Sequence, residues 1–309
     1  MSIKSFNNVI IMDFDDVVDN SNNEIADIST HTFNTWQKDR LMNEKVSDTK
    51  IGKFAEDAVI TAFNFLDIPN YYSYDDFRTD NFELHAPFDG IFIDNSKEYI
   101  FKLVNDKVKE EGSQLSIKTK NILRDYKTFT CEIKSTRLAD KYKSRSNFIS
   151  YSDEQSLNRL IDYLFTLDFL NYPHFTRYGD MSYSQYCQFV RTKYKLNVSD
   201  NELNSYIRNI ELEFASDIFI RVFVDEILKK VIIMGWIDRV TFLTPPETHK
   251  LILPGKSELP LYFVKALKKG FPLESLAKYI GDSKKGWYFS QPFILYNRLY
   301  QVCIFYHLF

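Results

Sequence analysis

The 309-residue sequence predicts an α/β fold in which a mixed sheet is flanked by helices. Apolar residues recur at the spacing of an amphipathic helix in three segments: 51–66, 153–170 and 203–212. Short runs that are apolar throughout, or that alternate between apolar and polar residues, occur in four segments: 88–93, 128–134, 217–224 and 231–237. Because such runs are typical of strands, helices and strands follow one another along the chain, as they do in α/β proteins.

The first helix is predicted over residues 51–66, where seven apolar residues follow the helical spacing and Pro69 lies just beyond the end. The first strand of the central sheet is predicted at residues 88–93. This run is apolar apart from Asp89 and Gly90, which indicates a strand that is buried on both faces.

Two segments interrupt the predicted core. Residues 97–127 are charged and without clear periodicity, so we expect a hairpin insertion there. Residues 171–200 are rich in tyrosine and irregular, which predicts a second insertion. The strands at 217–224 and 231–237 then extend the sheet, with the helix at 153–170 packed across it.

Composition divides the chain into three regions. Residues 1–48 are predicted to form an acidic N-terminal extension, and residues 49–245 the core with its insertions. Residues 246–309 form a C-terminal segment that could pack on the core. The consecutive residues Pro245 and Pro246 are the clearest boundary signal in the C-terminal half.

Charge is unevenly distributed along a chain whose net charge is −3. Residues 1–96 hold 7 Lys and Arg against 18 Asp and Glu, whereas residues 97–145 hold 13 against 7. This basic segment suits a partner with a phosphate backbone, and Lys118, Lys120 and Lys127 are candidate phosphate contacts within it. A solvated, lysine-rich surface is the alternative explanation.

Cysteine content and apolar runs predict the compartment. The three cysteines are scattered, so neither a disulfide framework nor a cysteine zinc site is indicated, which fits a reducing cytoplasm. No basic region followed by an apolar core marks a secretory signal at the N-terminus. The apolar stretch at residues 293–309 is interrupted by polar residues and is too short to span a bilayer. We therefore expect a cytoplasmic protein without a membrane partner.

The most informative pattern for function lies in the strand at residues 128–134. Its alternation sends the apolar residues to one face and both Glu132 and Lys134 to the other. Asp89 lies in the preceding predicted strand, so two carboxylates and one amine can meet at one point. Such a set can hold a hard divalent cation beside a nucleophilic water.

Asp89 and the Glu132-x-Lys134 pair resemble the motif of the PD-(D/E)xK nuclease superfamily, which includes restriction endonucleases and resolvases. Residues 51–59, IGKFAEDAV, resemble the Gly-x-x-x-Glu helix that precedes the first catalytic strand in many members, with Glu56 as its acid. The order helix, strand, strand is also similar. The resemblance implies a restriction-endonuclease-like mixed central sheet flanked by helices, with the hairpin insertion and the C-terminal additions described above.

The resemblance also implies a role for each matched residue. The implied catalytic residues are Asp89, Glu132, Lys134 and Glu56, and the implied metal ligands are Asp89, Glu132 and Glu56. The implied cofactor is Mg²⁺, for which Mn²⁺ can substitute. The implied activity is that of a Mg²⁺-dependent endodeoxyribonuclease of restriction type, which hydrolyses phosphodiester bonds of double-stranded DNA as a homodimer.

Six residues beyond the motif are candidate contacts to the DNA backbone: Ser135, Thr136, Arg137, Lys141, Lys143 and Arg145. Hydroxyl, guanidinium and ammonium groups are common partners of phosphate oxygens. For the first three, the end of a strand with its turn is the alternative explanation. For the last three, the alternative is ordinary surface charge.

Three other functions stay open. The chain could be a phage or repair nuclease of the same fold, or a catalytically idle DNA-binding protein. Residues 9–17, VIIMDFDDV, resemble instead the first motif of haloacid dehalogenase-like phosphatases, an apolar strand that ends in Asp-x-Asp. In that family Asp13 would be the nucleophile and Asp15 the acid/base.

Overall fold

The computed structural model describes residues 3–18, 42–94, 96–112, 114–138, 150–172, 183–244, 247–250 and 261–283. The strands within these ranges are β1 (Lys4–Phe6), β2 (Val9–Asp13), β3 (Tyr71–Ser73), β4 (Gly90–Phe92), β5 (Phe129–Arg137), β6 (Asp168–Asn171), β7 (Ile218–Asp225), β8 (Lys230–Asp238), β9 (Glu247–Lys250) and β10 (Leu261–Ala266). The helices are α1 (Met42–Phe65), α2 (Lys97–Glu111), α3 (Ile117–Asp125), α4 (Glu154–Leu164), α5 (Tyr183–Lys193), α6 (Asp200–Phe214), α7 (Arg239–Leu243) and α8 (Leu276–Ser283).

A seven-stranded mixed sheet forms the centre of the fold, in the order β1-β2-β8-β7-β5-β4-β3. Strands β5 and β7 pair in parallel, and every other neighbouring pair in this sheet is antiparallel. The predicted α/β fold with a mixed sheet is therefore confirmed. Strands β6, β10 and β9 form a second, three-stranded sheet.

Helices pack on both faces of the central sheet. Ala55, Ala58 and Val59 of α1 share one apolar cluster with Cys131 and Ile133 of β5. Leu157, Leu160 and Leu164 of α4 belong to the cluster on the other face, with Phe219 and Phe223 of β7. Because β7 lies in the middle of the sheet, all eight of its residues are buried.

Helix α1 and the central strands lie where the sequence predicts them. The helix ends at Phe65, one residue before the predicted end, but begins at Met42, which extends it nine residues beyond the predicted start. A turn follows in which Asn70 adopts a positive φ of 65°, a conformation that asparagine tolerates. The predicted packing of α4 across the sheet is confirmed, although this helix ends at Leu164 and a turn then leads into strand β6 at Asp168.

The prediction of a hairpin at residues 97–127 is wrong, because helices α2 and α3 lie there instead. Ile100, Val104 and Val108 are buried on one side of α2, at intervals of four residues. This spacing brings them onto one helical face, where they cover Ile91 and other apolar residues of the β4 region. The many charged residues between them obscure the helical periodicity in the sequence.

The second predicted insertion, residues 171–200, is also more regular than expected. Its described part contains helix α5, and the helix predicted at 203–212 is confirmed as α6. Ser199 caps α6, because its hydroxyl accepts from the Glu202 amide while the Glu202 carboxylate accepts from the Ser199 amide. Residues 173–182 lie outside the described residues.

The two ends of the described chain both join the core. Strands β1 and β2, within the region predicted as an N-terminal extension, add to the central sheet beside β8. Leu273, Leu276 and Ile280 from the C-terminal region pack into the same apolar cluster as α1. None of the helices in the described ranges is long and apolar enough to cross a membrane.

A substitution at Gly235 should destabilise the fold. Gly235 has a positive φ of 111° beside the irregularity in the β7–β8 ladder, and a Cβ there would lie 2.2 Å from the Phe271 carbonyl oxygen. We expect Gly235→Ala to lower the free energy of unfolding by more than about 1 kcal/mol. Gly52→Ala is the control, because a Cβ at this helical position meets no atom within 4 Å. Gly52→Ala should instead raise the free energy of unfolding by about 0.5–1 kcal/mol. Urea titration of the wild type and both variants measures the two changes.

Candidate active site

The register of β4 against β5 brings Asp89 to Glu132. Gly90 pairs with Cys131 in this antiparallel ladder, so the residue before Gly90 faces the residue after Cys131. The backbone agrees, since the Asp89 amide donates to the Cys131 carbonyl at 3.0 Å. The Asp89 side chain also crosses to β5, where its Oδ2 accepts from the Ile133 amide at 2.5 Å. Two residues that are 43 positions apart in the sequence therefore lie side by side.

Glu132 and Lys134 project together from β5, as the alternation predicts. Their side chains form an ion pair and are both partly exposed, at 17% for Glu132 and 32% for Lys134. The alternate residues Cys131 and Ile133 are buried under α1 on the opposite face. The strand thus holds an acid and an amine at the surface while its apolar face anchors it in the core.

Glu56 approaches from helix α1. Its carboxylate accepts from the Lys53 ammonium at 2.6 Å, and the same ammonium also forms an ion pair with Asp75. Burial raises the pKa of Glu56 to about 7, although the positive charge of Lys53 opposes that shift. Burial lowers the pKa of Lys53, but the two carboxylates outweigh burial and raise it above its ordinary value.

Asp89 feels the charge of both other acids. Burial raises the pKa of Asp89 well above its ordinary value, and the nearby Glu132 and Glu56 carboxylates add to this shift. Lys134 and the Ile133 amide act in the opposite direction without cancelling it. A cation bound beside these groups would act in the opposite direction and favour the ionised carboxylates.

The carboxylates are not gathered into a complete metal cluster. Among the described residues, no group of three or more His, Cys, Asp or Glu side chains is arranged to hold a metal ion. Each acid faces its own partner instead: Asp89 the Ile133 amide, Glu132 the Lys134 ammonium, and Glu56 the Lys53 ammonium. The donors still fit Mg²⁺ chemically, because this ion takes oxygen ligands, keeps several waters and needs only one or two protein carboxylates.

A cavity of about 20 Å³ opens beside Glu132. Its lining is largely polar and includes Lys120 and Glu211, two buried charged residues. This volume is enough for about one water molecule with polar partners. The site therefore offers room for a water next to one of the predicted metal ligands.

The predicted DNA contacts have different positions in the structure. Ser135 and Thr136 continue strand β5, and Thr136 is exposed at the surface. Arg137 ends the strand and forms an ion pair with Glu226 at 2.7 Å, so its charge already has an acidic neighbour. The remaining three candidates lie outside the described residues: Lys141, Lys143 and Arg145.

Lys120 does not fit its predicted role in the basic segment. It is buried, and its ammonium donates to the Phe214 carbonyl, so it has no surface to offer to a phosphate. Helix α3 places Lys120 on its inner side, whereas Lys118 and Lys127 are exposed. The phosphate-contact prediction therefore stands only for the two exposed lysines of this trio.

Arg221, which is not among the residues predicted from the sequence, lies beside Lys134 in the parallel β5–β7 ladder. Arg221 is 4% exposed, and it donates to the Lys134 carbonyl at 3.0 Å and to the Thr136 hydroxyl at 2.7 Å. Burial lowers the pKa of this guanidinium to about 10, although Asp168 opposes the shift. A single arginine within the otherwise apolar run 218–224 is the signal that could have revealed it.

The alternative site at the N-terminus has a simpler environment. Asp13 is the last residue of β2, and its carboxylate forms an ion pair with Lys230 on the adjacent strand. Asp15 lies in the short 3₁₀ turn that follows. Nothing in this arrangement favours a phosphatase over an ordinary cross-strand ion pair.

No family model, curated protein or solved structure matches the chain.

Proposed function

We propose that this chain is a Mg²⁺-dependent endodeoxyribonuclease with a restriction-endonuclease-like fold, acting in the cytoplasm on double-stranded DNA. The observation that carries the proposal is the register of β4 against β5, which sets Asp89 beside Glu132 while Lys134 shares the Glu132 face. Glu56 supports it, since a third acid from the preceding helix lies within electrostatic range of Asp89.

The proposed chemistry assigns a task to each side chain. Asp89 and Glu132 would hold Mg²⁺, with Glu56 as a direct or water-mediated ligand. When bound, the ion supplies Lewis acidity and lowers the pKa of a coordinated water. The Lys134 ammonium would orient the attacking water and offset the negative charge that develops on the phosphorus centre.

The reaction itself is a hydrolysis. Water attacks the phosphorus atom in line, the bond from phosphorus to the 3′-oxygen breaks, and that oxygen takes a proton as it leaves. The products are a 5′-phosphate and a 3′-hydroxyl. No other reactant is required.

Incubation with long duplex DNA and Mg²⁺ tests the proposed function against its alternatives. Discrete fragments would support the restriction-type function, and a smear would support a phage or repair nuclease that lacks sequence specificity. No cleavage with either Mg²⁺ or Mn²⁺ would count against catalysis and would favour an idle DNA-binding protein. Hydrolysis of a phosphomonoester, lost in Asp13→Asn, would favour the phosphatase alternative.

We expect the active form on DNA to be a homodimer. The described residues contain one Asp89, Glu132 and Lys134 set, and one such site cuts one strand, so cutting both strands most simply uses two copies related by a twofold axis. Light scattering with duplex DNA and Ca²⁺ in place of Mg²⁺ should give the mass of two chains plus one duplex. A monomer that only nicks DNA would contradict the restriction-type proposal.

A further inference from the structure

The hydroxyl of Tyr71 is a buried polar group with an unmet hydrogen bond. Its oxygen is inaccessible to solvent and has no hydrogen-bond partner among the described residues. Such groups are rare in folded proteins because water satisfies them in the unfolded chain. An unmet hydroxyl next to the proposed metal ligands therefore calls for a functional explanation.

Packing fixes the position of this hydroxyl. The Tyr71 ring contacts Phe63 of α1 and Phe92 of β4, with ring centroids 5.0 and 5.1 Å apart. The hydroxyl oxygen reaches over Gly90, where it would lie only 2.2 Å from an added Cβ. Glycine is thus needed at position 90, immediately after Asp89, for the tyrosine to take this place.

The hydroxyl lies near the proposed metal ligands, because Gly90 directly follows Asp89 and pairs with Cys131 of β5. Burial raises the pKa of Tyr71 well above its ordinary value, and Cys131, Glu56 and Asp89 add to the shift. Two of these three groups are proposed metal ligands. Glu56 and Asp89 each use one carboxylate oxygen, towards Lys53 and the Ile133 amide respectively.

We propose that Tyr71 is a positioning residue of the metal site, whose hydroxyl donates a hydrogen bond to an oxygen ligand of the cation near Glu56 and Asp89. That oxygen belongs to one of the two carboxylates or to a water that they hold. The inference rests on the proposed function, because it takes these acids as metal ligands. It explains why a tyrosine, rather than phenylalanine, lies among aromatic neighbours with its hydroxyl unsatisfied.

Tyr71→Phe in the full-length chain separates this role from a purely structural one. Without metal, the variant should melt at the same temperature as the wild type or higher, because the unmet hydroxyl is removed. Binding of Mn²⁺ measured by calorimetry should weaken by about tenfold or more, the usual effect of losing a group that orients metal ligands.

Tyr74→Phe provides a matched control. The Tyr74 hydroxyl is also buried without a partner among the described residues, but the charged groups that affect its pKa are Asp80, Arg78 and Asp75 rather than the proposed metal ligands. Its removal should leave Mn²⁺ affinity unchanged.

Three results would overturn the inference. Tyr71→Phe could bind Mn²⁺ as tightly as the wild type, Tyr74→Phe could weaken binding equally, or the wild type could bind neither Mn²⁺ nor Mg²⁺. The last result would also remove the proposed function. A wild type that binds Mn²⁺ but does not cleave DNA would contradict the nuclease alone, and weaker Mn²⁺ binding by Tyr71→Phe would still support the positioning role.

Discussion

Glu132→Gln and Lys134→Ala should each reduce DNA cleavage by about a thousandfold or more, because each change removes several kcal/mol of transition-state stabilisation. Glu132→Gln removes a charged oxygen ligand of the proposed Mg²⁺ site, and Lys134→Ala removes the positive charge on the same face of β5. Single-turnover cleavage of a labelled duplex at saturating Mg²⁺ measures the effect.

DNA binding should respond differently from cleavage. Glu132→Gln also removes a negative charge from the proposed DNA surface, so this variant should bind duplex DNA at least as tightly as the wild type when no metal is added. Asp13→Asn is the control, because Asp13 pairs with Lys230 and lies on β2, which β8 and β7 separate from β5 in the sheet. If Asp13→Asn lost cleavage while Glu132→Gln kept full activity, the active site would be assigned to Asp13 instead of Glu132.

Asp217→Ala should have the largest effect on stability, about 3–5 kcal/mol of unfolding free energy. Asp217 is 4% exposed and accepts from Arg124 at 2.9 Å and from the Thr130 amide at 3.0 Å, and it also forms an ion pair with Arg239. Its removal would leave Arg124 and Arg239, both largely buried, with the more exposed Glu213 as their remaining acidic neighbour among the described residues. Because Thr130 is two residues before Glu132 on β5, the same network supports the candidate active site.

Urea titration with a matched control checks this prediction. Asp106→Ala removes an acid from the exposed pair with Lys102, where stability should change by no more than about 0.5 kcal/mol. A similar small loss in Asp217→Ala would show that the buried network contributes little.

Acid should reduce the contribution of Asp217. Burial would raise its pKa, but Arg124 and Arg239 outweigh burial and hold the pKa below its ordinary value. The folded state thus binds a proton less readily than the unfolded state, in which the pKa is about 3.9. The stabilisation is complete above that pH and is lost as the pH falls through the folded-state pKa. The stability difference between wild type and Asp217→Ala should therefore shrink below about pH 4.

Local pattern was enough to predict much of this fold. The alternation in β5 placed Glu132 and Lys134 on one face, and the apolar runs at β7 and β8 identified the central strands. Helix α2 was missed because its buried residues recur every four positions among exposed charges. A pattern of this kind is visible only when the helical period is tested directly.

The details of the candidate site depend on long-range contacts that local pattern cannot reveal. The ion pair of Lys53 with Asp75 joins helix α1 to the loop after β3, and Arg221 reaches Lys134 across 87 residues of sequence. Tyr71 reaches Gly90 only because β3 and β4 pair at the edge of the sheet. These contacts follow from the strand order, which the sequence does not display.

Conversion of supercoiled plasmid DNA, followed as Mg²⁺ is added, tests the central claim most directly. The wild type should produce nicked and linear DNA in proportion to bound Mg²⁺, with no cleavage in excess chelator, while Lys134→Ala prepared in parallel should leave the plasmid supercoiled. Cleavage by Lys134→Ala at the wild-type rate, or no cleavage by the wild type with Mg²⁺ or Mn²⁺, would contradict the assignment of Asp89, Glu132 and Lys134 as a metal-dependent nuclease site.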